Sequence, residues 1–500
     1  MGDYEQVVKD LRASYATGKT RSLQWRVAQL KAIIKLFEEN ESAIFEALFK
    51  DLHKNKAEAA IMETMLCVND AVNAINNLND WTKPEKVAKG AIYMMDNAYI
   101  MKEPLGVTLI IGAWNYPVQL TILPLIGAIA AGNCAVLKPS EMAEETARFL
   151  EEVVPKYLDN DCVRVINGGV KETTALLQVR FDHIFYTGNS VVGKIVMEAA
   201  AKYLTPVILE LGGKSPVYVD KGTDLEIVAR RLSWGKFCNA GQTCIAPDYV
   251  MCPKDIQEGL VEKVKSAIEE FYTKDPKSSD SYGRIINERH FQRLQRLKKG
   301  ATAAYEGEDD EKERYIAPTV IPNVKLSDPI MQDEIFGPLM PIVPVTDHKE
   351  AIEIINGREK PLSLYVFTNN KSIGQEFRDR TSSGALLIND TVVHAGLTTL
   401  PFGGVGNSGI GSYHGKHSFN AFSHDKPVME KSLALDQVNS MRYPPYTEKK
   451  LGWVKWLMAK KVKRQGFFSF MPFIAIGVII SMMFKIVGVG AETLEQKKNM

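Results

Sequence analysis

Apolar residues recur at helical spacing through residues 24–49, where Trp25, Leu30, Ile33, Ile34, Phe37, Ile44 and Leu48 stand among Lys, Glu and Arg. That pattern predicts two amphipathic helices broken near Asn40, and residues 58–78 continue it as helix. Both stretches read as scaffold. Further on, the rhythm changes. Residues 107–111, 134–137, 163–166 and 184–187 are short, mostly apolar runs (Arg164 breaks the third), separated by helical patterns over 117–131, 144–157 and 171–178. Unbroken apolar runs are what strands buried on both faces require, so the alternation predicts a doubly wound parallel α/β sheet. In such sheets ligands sit beyond the strand C-termini, where Lys138, Gly168 and Gly188 fall.

A second alternation occupies residues 212–400, with runs at 216–219, 362–367 and 385–388, and predicts a second α/β domain. Residues 91–102 and 418–426 alternate like strands outside both sheets and could form a bridging arm. Residues 448–463 carry Trp453, Val454 and Trp456 among lysines, the pattern of an amphipathic interfacial helix. Residues 467–484 are almost wholly apolar. As a helix they would be about 27 Å long, close to the roughly 30 Å hydrocarbon core of a bilayer. Lys460, Lys461, Lys463 and Arg464 flank the segment on the side expected to be cytoplasmic. It reads as a tail anchor, the alternative being a buried core helix or a swapped tail.

Composition narrows the classes. A net charge of +1 gives no electrostatic reason to expect a nucleic-acid partner. Six irregularly spaced cysteines match neither a zinc pattern nor a disulfide framework, so reduced thiols and no metal site are expected. Residues 1–20 lack the apolar core of a secretory signal, and Gln6 stands where myristoylation wants Ser or Thr.

Candidate chemistry centres on Cys244 in Gly241-Gln242-Thr243-Cys244, where a turn entering a structured element offers N–H groups to a thiolate. A nucleophilic cysteine needs a base and an oxyanion donor. Glu210 interrupts the apolar run 207–211 just before Gly212-Gly213, and is either salt-bridged or aimed into a cleft. Asn115 follows the first strand of the doubly wound sheet, and is either an oxyanion donor or a helix N-cap. Lys138 and Glu141 could meet ribose hydroxyls. The loop Gly188-Asn189-Ser190-Val191-Val192-Gly193 could let a pyrophosphate approach a helix N-terminus, although it lacks the Gly-x-Gly-x-x-Gly spacing. Glu334 could be simply solvated. Cys238 has no comparable surroundings but lies close to the site.

Taken together, Asn-Tyr-Pro, Lys-Pro-Ser-Glu, the Gly188 loop, Leu-Glu-Leu-Gly-Gly-Lys, Gly-Gln-Thr-Cys, Glu-Ile-Phe-Gly-Pro and Pro-Phe-Gly-Gly stand in the order found in aldehyde dehydrogenases. The chain resembles that family over residues 23–426. The short N-terminus, the Cys244 context and Tyr413-His414-Gly415-Lys416 are similar to its class 3 branch, and the apolar tail to its membrane-anchored fatty-aldehyde members. The resemblance implies an NAD-binding domain over 1–80 and 104–210, a catalytic domain over 211–400, and a bridging arm over 81–103 and 401–445. It also implies an interfacial helix over 446–464 and a C-terminal transmembrane helix within 465–490. By resemblance, Cys244 is the nucleophile, Asn115 an oxyanion donor and Glu210 the deacylating base. Glu334 and Phe336 address the nicotinamide end of NAD, with NADP possible, while Lys138 and Glu141 address the adenosine ribose. A small aldehyde substrate, a homodimer and a cytosol-facing site on the endoplasmic reticulum, or else on peroxisomes or the mitochondrial outer membrane, complete the expectation. An acylating or semialdehyde dehydrogenase and an inactive membrane-tethered adaptor are the rivals.

Overall fold

The computed structural model describes residues 4–90, 93–94, 96–434 and 436–459. Helix Leu23–Leu52 begins on Ser22, whose side chain accepts from the Trp25 N–H, and it kinks at Asn40, where φ is −122°. The break falls where the polar residue interrupts the apolar stripe, and the Asn40 amide bonds back to the Leu36 carbonyl. Residues 58–78 are not one uniform helix. Lys56–Ala59 leads into a π turn, Ala60–Thr64, before Met65–Trp81 resumes as α-helix.

Among the described residues, fifteen strands follow in chain order. They are β1 (Glu85–Lys86), β2 (Asn97–Pro104), β3 (Val107–Ile111), β4 (Cys134–Lys138), β5 (Val163–Val165), β6 (His183–Gly188), β7 (Val207–Leu211) and β8 (Pro216–Val219). Then come β9 (Tyr249–Pro253), β10 (Thr319–Ile321), β11 (Leu339–Val345), β12 (Ser363–Phe367), β13 (Ala385–Ile388), β14 (Gly409–Ile410) and β15 (Ser423–Glu430).

The first large sheet has order β14-β7-β6-β3-β4-β5. All its pairings are parallel except β14 on β7. The chain runs outward through β3, β4 and β5, then crosses back to lay β6 beside β3. That reversal opens a crevice beyond the C-terminal ends of β3 and β6. Every residue of β3 and β4 is buried, which explains their unbroken apolar runs. Helix Gln119–Ala131 is buried along its whole length and stops at Gly132, whose φ of 94° an L-side chain would resist.

The second sheet is parallel throughout, with order β10-β11-β9-β8-β12-β13. Its core joins Tyr218, Met251, Ile342 and Tyr365 to helices Leu225–Phe237 and Lys254–Tyr272. Strands β1, β2 and β15 form a third sheet, in the order β1-β2-β15. The arm strands expected over 91–102 and 418–426 correspond to β2 and β15, each starting later than expected, with β2 beginning only at Asn97. Ser418 to Ala421 belong to helix Gly415–Ala421, because Ser418 is buried and its hydroxyl accepts the His414 N–H.

The described residues form two compact units, one lying within 1–85 and 100–427, the other within 86–99 and 428–459. In the second, helix Glu448–Met458 starts on a Thr447 cap and leaves Trp453, Trp456 and Met458 exposed. Among the described residues, no helix is long and apolar enough to cross a membrane. The expected anchor over 465–490 lies outside them, as do residues 460–464 of the interfacial segment.

Candidate active site

Helix Leu225–Phe237 ends at Cys238, and the chain then makes a left-handed turn. Asn239, Ala240 and Gly241 take φ of 52°, 50° and 74°. Two of these are not glycine, so the turn is strained and must be held from outside. Gln242 holds it: its amide donates to the carbonyls of Asn239 (3.0 Å) and Arg284 (2.9 Å), while its oxygen accepts the Ile286 N–H (3.0 Å). Gly241 is required for a second reason, since a Cβ there would overlap the Gly337 carbonyl. Cys244 leaves this rigid turn beside the N–H groups of Cys244 and Ile245, which favour a thiolate. Burial and the nearby charges of Glu334 and Glu210 outweigh them, raising the thiol well above its usual range.

Glu210 sits near the end of β7, facing Thr187 of β6 on one side and Gly409 of β14 on the other. It is buried, and neither carboxylate oxygen has a hydrogen-bond partner among the described residues. Of the two readings the sequence leaves open, a salt bridge and a side chain aimed into a cleft, the second is observed. Without partners, burial alone pushes the Glu210 carboxyl far above the carboxylate range.

Cys244 and Glu210 line one small pocket with Thr187, Tyr116, Phe402 and Met62, about 40 Å³ in volume and partly open to solvent. Its remaining walls are largely aliphatic and aromatic. The Tyr116 and Thr243 hydroxyls meet at 2.7 Å beside the cysteine.

Asn115 follows β3 at the crevice. Its amide donates to the Gln242 carbonyl at 3.0 Å, tying it to the cysteine turn. An amide nitrogen has two hydrogens, so one remains for an oxyanion. Asn115 is held from behind as well. Lys54 forms a fully buried ion pair with Glu63 at 2.5 Å, donates to the Asn115 carbonyl at 3.0 Å, and stands 4.2 Å from the centre of the Tyr116 ring. The other Glu63 oxygen accepts the N–H groups of Val118 and Gln119, at the start of helix Gln119–Ala131.

The cofactor candidates lie at strand ends. Lys138 is buried and donates to Glu141 at 2.9 Å and to the Pro139 carbonyl at 2.7 Å. Gly188 closes β6, and a Cβ there would strike the Tyr186 hydroxyl. Asn189 caps helix Ser190–Ala201 by accepting the Val192 N–H at 3.0 Å. Gly193 lets that helix close on Leu211 of β7. Ser190 opens the helix, while Val191 and Ile195, one turn apart, are exposed. Glu334 reaches over Gly212, where a Cβ would displace its carboxylate, and burial lifts that carboxyl to about 8. Phe336 takes φ of 48° and packs edge-on to Trp114 at 5.2 Å. A helix N-terminus, an exposed apolar pair and close-packing glycines fit a dinucleotide. No group of acidic, histidine and cysteine residues among the described residues could hold a metal.

The doubly wound sheet and the pocket that holds Cys244 together define the class of an α/β enzyme with a half-buried thiol. The aldehyde dehydrogenase family profile matches residues 2–428, and the chain belongs to that family and is an aldehyde dehydrogenase. It is 51% identical over 461 residues to aldehyde dehydrogenase family 3 member A2 of Pongo abelii, covering 92% of this chain and 95% of that one. It is 52% identical over 445 residues to the dimeric NADP-preferring aldehyde dehydrogenase of Canis lupus familiaris, covering 89% and 98%. The substrate-bound structure of Staphylococcus aureus AldH superposes with a TM-score of 0.89 at 41% identity, covering 92% of this chain and all of that one.

Proposed function

We propose that this enzyme oxidises medium- to long-chain fatty aldehydes to carboxylic acids through Cys244, with NAD or NADP as oxidant. The observation that carries this is the shared pocket, whose largely apolar walls include both a thiol and a carboxylate with no hydrogen-bond partner among the described residues. Apolar walls suit a hydrocarbon chain, and the carboxylate suits a water-activating base.

Cys244 adds to the aldehyde carbon as thiolate, forming a hemithioacetal. The spare Asn115 N–H and the Cys244 backbone N–H orient the developing oxyanion. Lys138, Glu141, the loop from Gly188 through Asn189, Ser190, Val191 and Val192 to Gly193, and Glu334 with Phe336 would hold the dinucleotide. When bound, that cofactor supplies the oxidant that turns the cysteine adduct into a thioester. Glu210 then takes a proton from water, and the hydroxide releases the acid. Replacing Cys244 by Ser is expected to lower NAD-dependent turnover of hexadecanal by about a thousandfold or more, since the alcohol is a far weaker nucleophile. Wild-type protein that binds NAD yet reduces none of it with any aldehyde would return the adaptor reading.

Residues 465–490 are proposed to tether the enzyme to the endoplasmic reticulum with the catalytic unit in the cytosol, and the enzyme is proposed to work as a homodimer. The exposed Trp453 and Trp456 of helix Glu448–Met458 support an interfacial placement of that helix. Deleting residues 465–500 is expected to move the protein from carbonate-washed microsomes to the soluble fraction. Retention in the washed membranes would remove the anchor from the proposal.

A further inference from the structure

We propose that Cys134 and Cys162 form a redox-active dithiol, which a hydroperoxide converts to an intramolecular disulfide when the N-terminal helix Tyr4–Ala16 lifts from it. This modification site lies outside the catalytic pocket and does not depend on aldehyde oxidation.

All six cysteines are free thiols, and two of them are neighbours. The Ala135 N–H donates to the Cys162 carbonyl at 2.9 Å, and Ala135 pairs with Val163 in the parallel register of β4 and β5. One step back along both chains, Cys134 therefore lies beside Cys162. Neighbouring parallel strands stand about 4.8 Å apart, within the Cα separations that a disulfide accepts. Both cysteines join the apolar cluster that includes Val8 and Leu11 of helix Tyr4–Ala16, so they share the face which that helix covers. Their thiols are in hydrogen-bond contact. Bridging them calls for no rearrangement of the sheet.

The Cys162 thiol also faces Asp159 at 3.8 Å, and Asp159 is paired with Lys19 at 2.5 Å. Lys19 is exposed, so the dithiol lies one ion pair beneath the surface. The Cys162 contact and burial hold the Cys134 thiol protonated while the helix is in place. The polar ties of that helix are Arg12, which donates to Asp182 at 2.6 Å and to the Arg180 carbonyl at 2.8 Å, and Tyr15, which donates to the Pro104 carbonyl at 2.9 Å. A helix tied at so few points opens at lower cost than the sheet beneath it.

Once uncovered, one thiolate attacks the hydroperoxide, the O–O bond breaks, and a sulfenic acid and an alcohol (water, from hydrogen peroxide) result. The second thiol then displaces the sulfenic hydroxyl as water, and the S–S bond forms. The two thiols lose two hydrogens and two electrons to the peroxide. A partner already in contact stops the oxidation at the disulfide, short of a sulfinic acid. Strand β5 is the three-residue edge of its sheet, and the bond ties it to β4. It also closes a loop that carries Lys138, Glu141 and helix Glu144–Tyr157, restricting the unfolded chain.

The test treats the full chain, in a Cys244→Ser background that removes the pocket thiol, with hydrogen peroxide, then blocks free thiols with N-ethylmaleimide and maps the peptides by mass. A Cys134–Cys162 linked peptide is expected, lighter by two hydrogens than the reduced pair. The thermal midpoint should rise by about 3–5 °C on oxidation, fall back with dithiothreitol, and stay unmoved in Cys134→Ala. Arg12→Ala, which loosens the helix, should speed formation of the bond about three- to tenfold. Cys162→Ala gives a second control should Cys134→Ala fail to fold. The proposal is overturned if both thiols remain open to N-ethylmaleimide after peroxide treatment, or if they oxidise separately to sulfinic acids. It is overturned equally if Arg12→Ala leaves the rate of linkage unchanged.

Discussion

Glu210→Gln is expected to complete one oxidation per active site and then stop. Hydride release from the cysteine adduct does not need this carboxylate, whereas hydrolysis of the thioester needs a base beside it. Rapid mixing with hexadecanal should give a burst of NADH near one equivalent, followed by steady turnover reduced about 10²- to 10⁴-fold, the usual worth of a general base. Because burial raises the Glu210 carboxyl, wild-type deacylation should climb with pH over a range displaced above that of an ordinary carboxylate, and the variant should lose that climb. Stability should move the other way. A carboxyl with a raised folded-state pKa favours the fold while protonated, and that contribution is lost as pH rises from its unfolded value of about 4.3 through the folded one. Glu210→Gln should therefore melt higher than wild type at alkaline pH and show little difference at acidic pH. A burst abolished together with turnover would move Glu210 to the first half of the reaction.

Lys54→Met carries the largest expected cost in stability. Lys54 and Glu63 are both fully buried, and removing one partner strands a charge without solvent, a loss of about 3–5 kcal/mol. Chemical denaturation should show this as a lower midpoint with an unchanged slope. Adding Glu63→Gln should recover part of the loss, because the amide oxygen still accepts the Val118 and Gln119 N–H groups and no ion is left unpaired. The burst rate should also fall in Lys54→Met, since the lysine donates to the Asn115 carbonyl, and the fall should be absent when Asn115 is already Ala. Additive losses in that background would make the pair a stabiliser of the fold alone.

Much of the sheet architecture was legible because burial on both faces leaves unbroken apolar runs: β3, β4, β6, β8 and β12 all stand where such runs predict them. Glu210 was legible because a carboxylate inside an apolar strand is conspicuous. The support of the site was harder to see. Residues 58–78 look like one amphipathic helix, and charges on helices are usually solvated, yet this segment brings Met62 to the pocket and Glu63 beneath Asn115. One signal was available. Ala59, Glu63, Cys67, Ala71, Ala74 and Leu78 share the buried stripe, so Glu63, like the buried Asp70 beside it, places a charge on a mostly apolar face. The π turn that aims Met62, and the left-handed Asn239–Ala240 pair, have no sequence signature, because neither residue type demands that backbone.

The pairing of Gly409 with Glu210 joins positions almost two hundred residues apart in the chain, and this has a bearing on biosynthesis. Until translation has passed Ile410, β7 is the open edge of its sheet, with unpaired backbone donors and acceptors beside a buried acid. Exposed edges of this kind recruit other strands. The nascent enzyme thus spends the synthesis of its entire second sheet with this border unsealed, the interval in which strand-to-strand misassociation has an open template.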